Sequence, residues 1–382
     1  MARACSLMIV PLKHLRVINF RGIRDALLKL HPEVTVLFGG NAAGKTTILD
    51  ALAIVLGAVI ARVPKAVGRD FRKSGDIRVP WKDLALPDKG NVERRGVECT
   101  LSLLIVAAVP GPNWAASHLR SKQDRARLRD ILRETNAKAL QEALDPLILE
   151  ALNAPPGELT RPIPFVAAYS NERALVDVPL RERGFNKELT RFGGLDHALS
   201  ATTRFKTVFE WFRIMEDEER RARDKHQDFS YKLPALEWVR RAVDRAGLRC
   251  KNPRVETSPL RMIVDFEHEN GETEPLDVSA LSDGYRTHFA LVVDMARRMV
   301  QLNPSPDLAD PERGTNTASV VLIDEVDLHL DPPWQARVVQ GLLAAFPRTQ
   351  FVVTTRSERV AASVAPDRVR RLVWENGAIL LN

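Results

Sequence analysis

The sequence has 382 residues, 45% of them hydrophobic and 27% charged, with a mean hydropathy of −0.18; that supplies a sizeable core and excludes a wholly disordered chain. A formal net charge of +7 and a pI near 9.4 favour an anionic partner such as nucleic acid, and fit equally a mildly basic enzyme whose surplus is spread over its surface. Three cysteines far apart, Cys5, Cys99 and Cys250, argue against a disulfide framework or a zinc site and for a reducing, cytoplasmic setting.

The longest apolar run, Ala51 to Ala61, is too short to span a bilayer, and Met1 to Val10 lacks the core of an export signal, so no membrane association is expected. Leu12 to Ile23 alternates apolar and polar residues like a half-buried strand entering a turn. A second strand, Val34 to Phe38, ends on Gly39-Gly40, and from Lys45 the spacing of Ile48, Leu49, Leu52, Val55 and Leu56 predicts a helix. The middle of the chain offers a strand at Val97 to Ala107 and helices at His118 to Leu152 and Lys206 to Lys225. Strand character returns at Leu260 to Phe266, where the turn Glu267 to Gly271 suggests a hairpin. A helix from Gly284 to Gln301 leads to a loop at 303–317 and then to Ser319 to Ile323, whose continuous apolar character fits a strand buried on both faces of a parallel sheet, as does that of Gln350 to Thr354. Strands alternating with helices give an α/β fold.

Gly39-Gly40-Asn41-Ala42-Ala43-Gly44-Lys45-Thr46 matches GxxxxGK[ST], in which backbone N–H groups at a helix start surround phosphates, Lys45 adds charge and the Thr46 hydroxyl ligates Mg²⁺. Residue frequencies alone produce such a match in a chain of this length on the order of once in a hundred; the flanking strand and helix make an ordinary glycine turn a poor alternative. Val320 to Ile323 followed by Asp324-Glu325 supplies the partner motif: Asp324 beside the metal, Glu325 placed to polarise the attacking water. Leu281-Ser282-Asp283-Gly284-Tyr285-Arg286 opens a helix that binds an anion or is simply capped by Ser282 or Asp283. His329, with no second ligand suitably spaced, reads better as an interface residue than as a metal ligand.

The order of these motifs resembles the ABC ATPases, and Ile18-Asn19-Phe20-Arg21-Gly22 resembles their RecF and SMC branch. Leu322 to Leu330, Pro333-Trp334-Gln335 and Phe351 to Thr355 look like the bacterial ATPases that include those of Septu and retron anti-phage systems. The resemblance is specific over residues 12–57 and 278–358. It implies an ABC-ATPase head with a mostly parallel core sheet, an antiparallel β subdomain and an inserted helical lobe. The corresponding division is 1–57 for the first part of the core, 58–258 for the lobe and antiparallel region, and 259–382 for the second part of the core. It further implies that Ser282 and Gly284 contact the γ-phosphate held by a second copy, that Asp331 is the acidic residue of the D-loop, and that Arg21 and Thr47 join the nucleotide contacts.

Two departures stand out. Family members carry a His after Thr-Thr, where this chain has Arg356, which braces a phosphate but exchanges no proton easily, or else turns aside to pair with Glu358. No Gln marks the Q-loop near Phe165 to Arg173, where Asn171 or Arg173 would have to substitute. Basic residues cluster at Arg62, Lys65, Arg69, Arg72 and Lys73, and again from Arg120 through Lys122, Arg125, Arg127 and Arg129 to Arg133; the second cluster, interrupted by acids, reads as a solvated face with nucleic-acid binding as the alternative. The expectation is an ATPase with ATP and Mg²⁺ as ligands, forming a homodimer through an ATP sandwich, with further assembly open. Only a short tail follows Thr355, so an effector, a nuclease or a toxin, is expected on a separate chain. An ATP-holding scaffold with little turnover and a RecF-like DNA-repair ATPase are the alternatives.

Overall fold

A computed structural model of the chain describes residues 10–72, 75–77, 101–108, 113–119, 137–155, 158–171, 189–200, 205–375 and 378–381. Its frame is a six-stranded sheet in the order β13-β12-β3-β11-β10-β6. The strands are β3 (Val34–Phe38), β6 (Phe165–Tyr169), β10 (Ser319–Ile323), β11 (Thr349–Thr355), β12 (Val369–Glu375) and β13 (Ala378–Leu381). All pairs are parallel except the edge hairpin β12–β13. β6, β10 and β11 are buried at every residue, as apolar runs without alternation require. Each aliphatic side chain removed from water there contributes about 1.5–3 kcal/mol.

A second, antiparallel sheet runs β2-β1-β4-β5, with β1 (Leu12–Phe20), β2 (Ile23–Lys29), β4 (Leu101–Ala108) and β5 (Asn113–Leu119). Helix α1 (Lys45–Ile60) packs against both sheets and is buried almost all round, which explains its unbroken run of small and aliphatic residues. Trp114 of β5 donates its indole N–H to the Val55 carbonyl at 2.9 Å. Gln350 joins the sheets: buried in β11, it accepts from Leu12 N and donates to the carbonyls of Leu12 and His31, all within 2.9 Å.

The third sheet is the antiparallel β7-β8-β9, from β7 (Cys250–Thr257), β8 (Leu260–Glu267) and β9 (Thr273–Asp277), so the expected hairpin gains a third strand. Helix α2 (Ala137–Asn153) packs on β5 of the second sheet, whereas α3 (Phe205–His226) and α4 (Pro234–Arg245) pack on β7, and the long α5 (Asp283–Leu302) packs on both of these helices. α5 is anchored by its Asp294, which accepts from Arg297 at 2.8 Å, Arg298 at 2.7 Å and the Tyr169 hydroxyl at 2.9 Å. Burial works against that carboxylate's charge, yet the two guanidiniums bring its pKa down to about 2.

Three differences from the sequence reading have physical causes. Of the helix expected over His118 to Leu152, Ala137–Asn153 is seen as helix, His118 instead belongs to β5, paired with Ser102, and residues 120–136 lie outside the described residues. Tertiary pairing overrides local propensity there. Phe165–Tyr169, counted with the middle segment 58–258, is the edge strand of the core sheet beside β10. The stretch after Thr355 builds a short helix (Glu358–Ala362) and then β12 and β13, which extend the core sheet. Among the described residues, no helix is long and apolar enough to cross a membrane.

Candidate functional site

The site lies at the carboxyl ends of β3, β10 and β11, where parallel strands of an α/β sheet leave a crevice. β3 ends at Phe38, and the chain turns through Gly39 to Gly44 into α1. Ala42 (φ 59°) and Gly44 (φ 91°) adopt left-handed backbone, the curvature that turns successive N–H groups toward one point. Lys45 begins the helix and folds back over the loop, its Nζ donating to the carbonyls of Gly39 and Gly40 at 2.7 Å each. Burial and the nearby Arg356 guanidinium push this ammonium below its ordinary pKa.

Residues 278 positions apart meet beside it: the Thr46 hydroxyl donates to Asp324 Oδ2 at 2.9 Å. The parallel register that sets Ile323 against Val353 brings Thr354 to the other oxygen, Oδ1, of Asp324. Thr354 Oγ1 also accepts from Glu325 N at 2.7 Å, fixing Glu325 in its left-handed backbone at φ 47°. Thr354 was quoted in the sequence without a role; strand register alone could have supplied one. Asp324 and Thr46 present adjacent oxygen donors, and Oδ1 of Asp327, a turn away, is buried with no hydrogen-bond partner. This donor set fits a hard divalent cation such as Mg²⁺. Among the described residues there is no group of three or more His, Cys, Asp or Glu that forms a dedicated metal cage, and His329 stands in none.

Arg356 does not turn to Glu358. It bridges the site, donating through Nη1 to Asn41 Oδ1 and through Nη2 to Glu325 Oε1, each at 3.1 Å. Ser357 caps the helix Glu358–Ala362, so Glu358 leaves on a helical turn, whereas Arg356 at the end of β11 faces both the loop and Glu325.

Ser282 occupies the N-cap position of α5, but its hydroxyl caps nothing, and the residue is exposed. Asp283 instead accepts from Arg286. Gly284 packs so closely that an added Cβ would stand 2.3 Å from the His329 carbonyl, so the start of α5 rests on the segment after Glu325. Asp331 starts the short helix α6 (Pro332–Gln335) and is exposed. From that helix Gln335 donates to Leu330 O at 2.8 Å and accepts from Ser357 Oγ at 2.7 Å, tying this segment to the residue after Arg356.

Arg21 is engaged by two carboxylates. Its Nη1 reaches Asp50 at 2.6 Å and its Nε reaches Asp76 at 2.8 Å, and Arg69 reaches Asp50 at 2.6 Å from another side. Thus Arg69 of the first basic cluster serves an internal ion network, and Arg72 N bonds Asp76. Lys73 and the second cluster, Arg120 to Arg133, lie outside the described residues, as does Arg173; Asn171 is exposed just beyond β6. Thr47 follows Thr46 in the first turn of α1.

A family model described as "AAA domain, putative AbiEii toxin, Type IV TA system" matches residues 155–361, and a second, described as "AAA domain", matches 14–102. A protein named "Retron Ec83 probable ATPase" from Escherichia coli is 26% identical over 91% of this chain and 68% of its own length. A protein named "Retron Vc95 probable ATPase" from Vibrio cholerae serotype O1 biovar El Tor is 29% identical over 54% of the chain and 47% of its own length. "Septu protein PtuA" from Bacillus mycoides is 42% identical over 26% of the chain and 12% of its own length. The chain therefore spans about two thirds of the first relative and less than half of the other two.

Proposed function

The chain belongs to the AAA-domain family whose model spans residues 155–361, and from that premise we propose that it binds and hydrolyses ATP, two copies closing face to face on the nucleotide. The observation that carries this reading is the meeting of Lys45, Thr46, Asp324 and Glu325 at one point from opposite ends of the sequence. No local packing need accounts for a lysine, two carboxylates and an arginine gathered at a glycine loop.

In this reading Lys45 exchanges the carbonyls of Gly39 and Gly40 for the β- and γ-phosphate oxygens, and the N–H groups of Asn41 to Thr47 receive the remaining charge. Thr46 and Asp324 would hold Mg²⁺, which when bound neutralises charge on the phosphates. Glu325 takes a proton from water as the water oxygen bonds to the γ-phosphorus and the β–γ bridge oxygen departs with ADP. The uncommitted Ser282 hydroxyl and the Gly284 turn are the parts offered to the partner's γ-phosphate, and exposed Asp331 belongs to the same face. A symmetric dimer satisfies both sites at once.

By analogy with the retron and Septu relatives, the closed dimer controls a separate effector, a nuclease or a toxin, in anti-phage defence. A second reading has one observation in its favour: the Arg356–Glu325 ion pair occupies the general base, which suits a protein that holds ATP as a signal and turns it over slowly.

The test is phosphate release and ATP-dependent association for the native chain, Lys45→Ala and Glu325→Gln. Lys45→Ala should lose ATP binding, and Glu325→Gln should keep ATP and remain dimeric. Turnover by Glu325→Gln at the native rate would remove Glu325 from the chemistry, and ATP binding undiminished by Lys45→Ala would remove the loop.

A further inference from the structure

Parallel pairing of β12 with β3 sets Arg371 against Phe38, so Leu372 to Trp374 continue alongside the start of the phosphate loop. Contact there is close. An added Cβ on Gly39 would stand 2.6 Å from the Leu372 carbonyl oxygen, and one on Gly44 would stand 2.2 Å from Ile379 Cδ1. The Trp374 ring lies over Gly22, 2.6 Å from where a Cβ would be, and Ile379 N donates to Gly22 O at 3.1 Å. The hairpin is thereby locked to both the loop and the β1–β2 turn, and its one large aromatic side chain is left 53% exposed.

Between this hairpin and the loop opens a cleft of 370 Å³, lined among others by Phe38, Gly40, Asn41, Arg371 and Trp374. The Arg371 guanidinium stacks on the Phe38 ring at 4.9 Å, so cation and aromatic faces lie together at one end of it. An indole held on a rigid hairpin, half in water and continuous with a phosphate cradle, has the chemistry of a stacking platform for a flat heterocycle.

We infer that this cleft seats the nucleobase of the bound nucleoside triphosphate, with Trp374 as its stacking surface. This rests on the nucleotide reading above and adds to it a second anchor, contributed by the final strands of the sheet. Stacking uses the π-face that every base has and reads no base edge. The site therefore distinguishes a nucleoside triphosphate from bare triphosphate far better than it distinguishes ATP from GTP.

The experiment measures binding of ATP, GTP and inorganic tripolyphosphate to the native chain, Trp374→Ala and Trp374→Phe, with thermal unfolding showing that each variant is folded. The native chain should bind ATP and GTP alike and both more tightly than tripolyphosphate. Trp374→Ala should weaken ATP about tenfold while leaving tripolyphosphate unchanged, and Trp374→Phe should keep most of the ATP affinity. An ATP-to-tripolyphosphate ratio equal in the native chain and Trp374→Ala would overturn the inference, and so would equal weakening of both ligands, which would make Trp374 a support of the loop. If the native chain bound none of the three, the nucleotide reading itself would fall and the base site with it.

Discussion

Arg356 donates to Oε1 of Glu325 at 3.1 Å while its other terminal nitrogen holds Asn41 of the phosphate loop. The carboxylate proposed to activate water is thus paired with a cation that never gives up its charge. Replacing that cation by histidine, the residue that the resemblance implied at this position, should free Glu325 and raise the single-turnover rate of ATP hydrolysis roughly threefold to tenfold, the effect of about 1 kcal/mol on the barrier. Rates for Arg356→His equal to native would remove the brake.

Gly284 faces backbone, the His329 carbonyl, at a distance where a Cβ would need 2.3 Å. A carbonyl cannot swing aside as a side chain can. Gly284→Ala should therefore cost about 1–3 kcal/mol of stability and displace the segment that carries Asp331. The measurements are thermal unfolding and ATP-dependent association in a Glu325→Gln background; an unchanged midpoint together with unchanged association would show that the segment yields freely.

What could be read in advance was whatever depends on neighbours in sequence. The strand, loop and helix around Lys45 announce themselves locally, and so does the apolar strand delivering Asp324. Relationships made by the sheet were hidden. Nothing near Arg21, for which the resemblance implied a nucleotide contact, says that Asp50 and Asp76 will pair with its guanidinium. Arg356 has Glu358 close in sequence, yet its partners come from positions 31 and 315 residues away. The β12–β13 hairpin was legible only as a tail, because short strands at a sheet edge carry too few residues for periodicity to register.

Glu216 of α3 accepts the Val255 N–H through both oxygens, at 3.1 and 3.2 Å, and burial raises its pKa from 4.5 to about 7. The folded chain then holds this proton more tightly than the unfolded one, so the stability it contributes is full below pH 4.5 and is lost as pH rises through 7. The total is up to about 3 kcal/mol. Glu216→Gln should flatten the fall in unfolding midpoint between pH 5 and 8 by a corresponding part, and parallel profiles for the two proteins would contradict the assignment.

Gln350, 1% exposed, is the sole described side chain bonded to both backbone groups of Leu12. Gln350→Leu keeps the volume and leaves buried backbone groups of Leu12 and His31 without that partner, at a cost of about 2–4 kcal/mol. Denaturant unfolding measures it; a loss below 0.5 kcal/mol, roughly the scatter of such measurements, would mean that water takes the amide's place.

The position of β3 between β11 and β12 also sets the order in which its surroundings can be completed during synthesis. The strand that carries the phosphate loop emerges from the ribosome early, with both lateral neighbours still unmade. Until residues 349–375 follow, its two hydrogen-bonding edges are open and no wall of the nucleotide crevice stands beside it. Such long-range pairing forms late and slowly. On the nucleotide reading proposed above, a chain that ends before Thr349 carries the phosphate loop on a strand with neither of its lateral neighbours.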